Sequence, residues 1–358
     1  MASEPAMPQP AAPQRSTPQR STPLLAIEQL TVGFETATGT VHALDDVSFA
    51  IGRGECVALV GESGSGKSIT GLAVMRLLGR RALVQAGRIV FDGADLLTLS
   101  EKAMQATRGK RVAMIFQNAK ASLNPIKTVG DILVDILRSH HHGLSRAAAR
   151  ARIVALLDRI GINEPAERLR AYPSELSGGM CQRIMIAAAF ACEPDLIIAD
   201  EPTSALDVTT QQLVMDLLMT LCRERGVAAI FITHDLALAS EYCDRAVVLH
   251  AGQVLEQGPV SEVLTSPRHP YTRMLLDSLP YGKDDIGQLK AMGGGLPDLR
   301  RNDLPCCRFA ERCPQVEPAC RGLPLPERRF GPTHIVRCQH PLEPSLAAAP
   351  RASAARAM

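Results

Sequence analysis

Residues 61–68 read GESGSGKS and fit the pattern G-x-x-x-x-G-K-[ST]. An apolar run, CVALVG (56–61), precedes them, and a helical pattern, SITGLAVMRLL, follows. Gly61, Gly64 and Gly66 allow the backbone to wrap closely around phosphate oxygens, with the N–H groups around Glu62, Ser63 and Ser65 turned inward. The helix start adds its positive end. Lys67 is placed to reach β- and γ-phosphates, and Ser68 to ligate Mg²⁺. A merely flexible glycine turn needs neither the lysine nor the hydroxyl.

Far downstream, DLIIADEP (195–202) is an apolar run ending in two carboxylates. Alone, such a pair reads as a solvated strand end. Beside a phosphate loop it reads as catalytic, because phosphoryl transfer asks mainly for positioning and charge neutralisation. Asp200 stands where an acid could hold a Mg²⁺ shell, and Glu201 where a base could orient and deprotonate water. LSGGMCQR (176–183) offers a further anion site: Ser177, Gly178 and Gly179 open a helix and expose backbone N–H groups. Read alone, those three residues serve equally well as a plain helix cap.

Elements of alternating type must position these groups. LLAIEQLTV, VSFAI, CVALVG, RIVFDG, VAMIFQ, DLIIAD, AAIFIT and AVVLHAGQVLEQG are strand-like. Residues 128–192 are mostly helical in pattern, AAARARIVALLDRIG being the clearest amphipathic stretch. Buried runs alternating with helices predict a parallel α/β core carrying an inserted helical subdomain. Residues 1–23, rich in Pro, Ala, Ser, Gln and Thr, read as a disordered leader, and 343–358 as a frayed tail. From about residue 280, prolines and cysteines replace the periodic patterning.

The chain has 358 residues, room for two domains plus tails. Hydrophobic residues make up 46% and aromatics 3%, so aliphatic side chains must fill the cores. Lys+Arg number 39 against 37 Asp+Glu, a balance that gives no electrostatic reason to expect nucleic acid. No apolar run approaches the ~20 residues that span a bilayer. The N-terminal segment has no apolar core of a secretory signal, so the expected compartment is the cytosol. SHHHG (139–143) has no carboxylate or cysteine beside it and reads as a solvated loop rather than a metal site.

LSGGMCQR, shortly before the Asp200 strand, resembles the signature sequence of ABC-type ATPases. The resemblance implies that Ser177, Gly178 and Gly179 close over the γ-phosphate of ATP held by an opposite subunit. It further implies that Gln117, ending VAMIFQ, is the Q-loop glutamine that contacts the metal site and relays to a membrane subunit. SALD (204–207) is similar to the D-loop, with Asp207 facing the other subunit, and His234 in FITHD to the switch histidine at the γ-phosphate. NPIKTVG (124–130), LSGGM with Met180, ADEPTSALDVTTQ (199–211) and PRHPYTRMLL (267–276) resemble the ATPases of dipeptide, oligopeptide and nickel importers. The likeness covers about residues 24–342. Cys181 departs from it, standing where that branch usually has Arg. Phe34 and His42 are the candidates for stacking on adenine.

The expectations that follow are an ABC ATPase domain at 24–280 with its helical subdomain at about 118–192, and an importer-type, Cys-rich C-terminal domain at 281–342. The expected function is ATP hydrolysis driving import of di- or oligopeptides. A nickel or other small-solute importer is the alternative, and a soluble ABC ATPase acting on DNA or ribosomes a weaker one. Expected partners are two transmembrane permease subunits, a second ABC ATPase subunit and an extracytoplasmic solute-binding protein. The chain would then sit peripherally on the cytoplasmic face of the cell membrane.

The segment CCRFAERCPQVEPAC (306–320) holds four of ten cysteines, and Cys338 follows. Cys307, Cys313, Cys320 and Cys338, spaced C-x₅-C-x₆-C-x₁₇-C, match the C-terminal pattern of the importer branch, and Cys306 is the spare. Structural zinc usually shows C-x₂₋₄-C pairs, and a cytosolic compartment disfavours disulfides. A short proline-rich segment needs a staple, so a [4Fe–4S] cluster is expected ahead of zinc or unligated thiols. Cys56, Cys181, Cys192, Cys222 and Cys243 read as packing residues.

Overall fold

The computed structural model describes residues 22–204, 206–278 and 293–343. Residues 1–21 of the expected leader, 344–358 of the expected tail and the boundary expected near 280 lie outside them.

Two long strands open the chain, β1 (Leu25–Thr36) and β2 (Gly39–Ile51). They pair antiparallel, with Phe34 opposite Val41. β2 begins eight residues before the VSFAI run, because its first half is only partly buried and carries no clean alternation. After β3 (Cys56–Val60) and α1 (Lys67–Val74) come β4 (Ala82–Phe91) and β5 (Ala94–Asp95). The order β2-β1-β4-β5 makes a four-stranded antiparallel sheet. α2 (Glu101–Thr107), capped by the Ser100 side chain, leads to β6 (Val112–Ile115).

Between β6 and the next strand the chain is helical: α3 (Ala119–Ser122), α4 (Val129–His140), α5 (Arg146–Arg159), α6 (Pro165–Arg168) and α7 (Gly178–Phe190). Thr128 and Ser145 accept N–H bonds that start α4 and α5. α5 buries Ala149, Ile153, Leu156 and Leu157, one face of a 3.6-residue period.

The chain then alternates: β7 (Leu196–Asp200), α8 (Val208–Arg225), β8 (Ala228–Thr233), α9 (Leu236–Tyr242), β9 (Arg245–His250). β10 (Gln253–Pro259), α10 (Val260–Thr265) and α11 (Pro270–Asp277) follow. α12 (Pro318–Gly322), β11 (Glu327–Arg329) and β12 (Ile335–Arg337) complete the described elements. The second sheet runs β11-β12-β10-β9-β3-β8-β7-β6. Its β9-β3-β8-β7-β6 part is parallel. β3, β7 and β8 are buried at every position, as a sheet covered on both faces requires.

Register fixes the site. Val60 pairs with Thr233, and Asp200 with Ile232. The carboxyl ends of β3, β8 and β7 therefore come together, where open α/β sheets bind ligands. β12 hydrogen-bonds to β10 through the Glu256–Val336 pair. Cys307, Phe309, Ala310 and Cys320 belong to the apolar cluster that also holds Leu133, Ile153 and Ala199. The cysteine-bearing segment is thus continuous with the main core. No helix among the described residues is long and apolar enough to cross a membrane.

Candidate nucleotide site

The loop between β3 and α1 is compact. A Cβ on Gly61, whose φ is +148°, would lie 2.1 Å from the Leu249 carbonyl oxygen, so only glycine fits there. Lys67 is buried, and its Nζ donates to the Gly61 and Glu62 carbonyls at 2.8 Å each. Burial lowers the Lys67 pKa, while Glu201, Asp200 and Glu62 pull it back up. An ammonium held only by loop carbonyls is poised to turn to phosphate oxygens.

The Ser68 hydroxyl donates to Asp200 Oδ1 at 3.0 Å. Burial raises the Asp200 pKa, the Ser68 bond lowers it and Glu201 raises it. This oxygen donor set suits a hard divalent cation such as Mg²⁺. Glu201 stands just beyond the strand end at φ +44°, a left-handed conformation that non-glycine residues seldom adopt. Gln117 Nε2 donates to Glu201 Oε2 at 2.7 Å, and His234 Nδ1 lies 3.1 Å from Glu201 Oε1. Three residues expected at one site, from three different strand ends, therefore meet on one carboxylate.

Ser177, Gly178 and Gly179 lie apart from that group. Ser177 caps α7 by accepting from the Met180 N–H, and Asp207 caps α8 by accepting from Thr210 N–H at 3.0 Å. The Thr210 bonds hold the Asp207 carboxyl below its usual range. Ser177, Gly178, Gly179, Asp207 and Thr210 line one cleft together with Arg168 and Arg183, and no phosphate-loop residue lines it.

A family model described as "ABC transporter" matches residues 44–204, and one described as "Oligopeptide/dipeptide transporter, C-terminal region" matches 255–320. The dipeptide transport ATP-binding protein DppD of Escherichia coli K12 is 41% identical over 321 residues, 89% of this chain and 97% of that protein. DppD of Haemophilus influenzae is 42% identical over 320 residues, 89% of this chain and 96% of that one. This chain belongs to the ABC transporter ATP-binding family. The dimeric structure of MJ0796, a bacterial ABC transporter cassette, covers 66% of this chain and 98% of that one, at 28% identity and a TM-score of 0.60.

Other contacts of this ABC core were not legible as motifs. The Glu62 N–H donates to Tyr271 Oη at 3.0 Å, and Arg312 Nη1 donates to both Glu62 carboxylate oxygens. No local pattern announces them, because the partners lie 209 and 250 residues apart in sequence. Phe34 is half-buried against the four-stranded sheet's core, and the His42 N–H donates to Leu299 O at 2.8 Å.

All ten cysteines are free thiols. Cys307, Cys313, Cys320 and Cys338 line one cavity together with His269 and His340, and Cys306 does not line it. Backbone N–H groups of Phe309, Gln315 and His340 reach the sulfurs of Cys307, Cys313 and Cys338. Among the described residues, no three His, Cys, Asp or Glu side chains form a group that could hold a metal ion. The expectation of a metal centre at these cysteines, iron–sulfur or zinc, is therefore not met by any such group. His140, in SHHHG, has its pKa lowered chiefly by burial, and it joins no such group either.

Proposed function

We propose that this chain binds Mg·ATP at the phosphate loop and hydrolyses it to power import of di- or oligopeptides. The observation that carries the reading is Glu201, held between Gln117 and His234 beside the Ser68–Asp200 pair. Ser68 and Asp200 would hold Mg²⁺, which supplies charge neutralisation at the phosphates. Lys67 and the loop N–H groups bind the β- and γ-phosphates. Glu201 orients water and takes its proton as the water oxygen attacks the γ-phosphorus, and the bond to the bridging oxygen breaks to leave ADP and phosphate. Gln117 and His234 fix the carboxylate's direction.

The peptide cargo rests on the DppD relatives and on the C-terminal match. The remaining parts of the reading are a second ATPase subunit, two permease chains, a solute-binding protein and a peripheral place at the cytoplasmic membrane face. Separation of the Ser177–Gly179 cleft from the phosphate loop supports the second ATPase subunit. Helices α3–α7 would form the helical subdomain, and residues beyond about 280 the Cys-rich C-terminal domain.

An iron–sulfur cluster held by Cys307, Cys313, Cys320 and Cys338 remains part of the proposal. It draws on their shared cavity and on the N–H groups directed at three of the sulfurs. A cluster spreads its ligands over several irons, so its thiolates need not converge as they do on one ion. When bound, it would staple the segment. The test of the whole reading is ATP hydrolysis and peptide uptake by the assembled transporter in vesicles. Hydrolysis that no peptide stimulates, with no uptake, would overturn the cargo; absence of hydrolysis would overturn the enzyme.

A further inference from the structure

The phosphate loop is held from outside by a segment that no motif connects to it. Arg312 Nη1 lies 3.0 Å from both Oε1 and Oε2 of Glu62, the second residue of GESGSGKS. The pair is sheltered, with the Arg312 side chain 6% exposed and Glu62 21%. Arg312 is itself fixed: its Nε donates to Gly293 O at 3.0 Å, and its guanidinium lies 5.9 Å from the Phe309 ring. A second contact lies alongside. Leu296 Cδ1 stands 3.0 Å from where a Cβ on Gly64 would be, so the segment touches the loop's glycine as well as its carboxylate. Tyr271 Oη takes the Glu62 N–H from a third direction.

Glu62 is an awkward residue for this loop. A carboxylate next to a triphosphate repels it, and Lys67 Nζ, already bonded to the Glu62 carbonyl and acted on by the Glu62 charge, is a cation that a loose carboxylate could capture. That capture would withdraw the ammonium that must meet the phosphates. One guanidinium nitrogen shared between both oxygens neutralises the carboxylate and fixes its direction, with the Arg312 Nε bond to Gly293 O holding the donor in place.

We propose that Arg312 is a positioning residue of the phosphate loop: it pins and neutralises the Glu62 carboxylate, keeping it off Lys67 and off the path of the triphosphate. The proposal rests on the nucleotide reading above. It differs from a plain docking role for the same ion pair. In docking, losing either partner does equal harm. In positioning, losing Arg312 harms ATP binding only while Glu62 keeps its charge.

The test is calorimetric titration of the full-length chain with Mg·ATP, for the wild type, Arg312→Gln, Glu62→Gln and the double variant. Arg312→Gln should bind about tenfold more weakly, the scale of one uncompensated charge beside an anion. Glu62→Gln, which leaves Arg312 unpaired near the phosphates, should bind severalfold tighter. The double variant should return to within about threefold of the wild type. A double variant as weak as Arg312→Gln would overturn the inference, as would Glu62→Gln weakening binding. Should Arg312→Gln not fold, Glu62→Gln decides alone: tighter binding supports the proposal, weaker binding overturns it. A wild type that binds no Mg·ATP would overturn the nucleotide reading and this inference with it, whereas a binding wild type with the wrong variant pattern overturns this inference only.

Discussion

Gln117 Nε2 lies 2.7 Å from Glu201 Oε2, and the bond joins residues 84 positions apart. His234 occupies the other oxygen, Oε1, at 3.1 Å. Both oxygens of the proposed base are thus occupied by side chains that could move away, one from beyond β6 and one from beyond β8. The carboxylate is directed before any water arrives, and its backbone is held at a positive φ by the bond from Glu201 N–H to Ile232 O.

Glu201→Gln should retain Mg·ATP binding and stall hydrolysis. The amide keeps the shape and the contacts but cannot take a proton. A fall of order 10²–10⁴-fold in steady-state ATPase rate on the assembled transporter is expected. Near wild-type turnover would place the base elsewhere.

Gln117→Ala and His234→Ala should each lower kcat while leaving ATP affinity within about threefold of wild type. Each removes one bond to Glu201 and none to the phosphate loop. Loss of one preorganised donor commonly costs about 10²-fold in rate. Uptake should fall with kcat. A variant that instead weakens ATP binding while hydrolysing normally at saturation would show the residue to be a ligand of the nucleotide.

How much of this the sequence carried depends on the length scale. Lys67, Ser68, Asp200 and Glu201 were legible because a strand, a loop and a helix start define each role locally. The convergence of Gln117 and His234 on one carboxylate was not, because it depends on the strand order β3-β8-β7-β6, which no window of residues contains. The helical run between β6 and β7 showed its period directly in Ala149, Ile153 and Leu157. The first half of β2 did not, since its residues are only half-buried and lack alternation. Arg312 and Tyr271 lie in stretches that resemble the importer branch, but nothing in those stretches signalled a contact with Glu62. They act on Glu62 only because β10 and the segments after it fold back across the carboxyl ends of the parallel strands.

The isolated chain should be a poor ATPase. Its Ser177–Gly179 cleft contains no phosphate-loop residue, and on the proposed reading each nucleotide would draw on groups from two chains. Turnover should rise steeply with the concentration of the partner ATPase. A full rate that is independent of concentration in a monomeric preparation would contradict this.

Stability should fall in mild acid through His250. The ring is fully buried against Tyr271, at 4.5 Å between centroids, and near Phe309. Burial, with help from the Arg312 charge, lowers its pKa from the usual value to about 3. The folded state therefore holds His250 neutral where the unfolded chain protonates it. The unfolded state binds the extra proton between about pH 6.5 and pH 3, so stability rises with pH across that window and is lost as pH falls through it. The slope is about 1.4 kcal/mol per pH unit at most for this one group. His250→Leu should flatten the pH dependence of Tm between about pH 6 and 4 relative to the wild type, whatever it does to Tm at pH 8. Parallel curves for the two proteins would remove His250 as the cause.

The cysteine segment gives the last prediction. In the metal-free chain, burial pushes the Cys307 thiol up to about 12 and Cys338 up to about 11, despite the N–H groups of Phe309 and His340 at their sulfurs. Burial raises the Cys313 thiol too. Sheltered thiols around a cavity in the apolar core make the metal-free segment an unreactive one: at neutral pH, alkylation by iodoacetamide should be slow at the buried Cys307, Cys320 and Cys338 and faster at the half-buried Cys306 and Cys313. On the proposed reading Cys307, Cys313, Cys320 and Cys338 would hold an iron–sulfur cluster as thiolates, and anaerobically purified chain should then be coloured and carry about four irons and four sulfides. Cys313→Ser should abolish the colour and the iron together. The joint measurement discriminates three states. Colour with iron and sulfide supports the cluster. One zinc per chain and no colour replaces it with a single ion, against the lack of any three-ligand group among the described residues. Slowly alkylating buried thiols and no metal make the cavity an ordinary part of the core, held by Phe309 and Ala310 packing rather than by ligation.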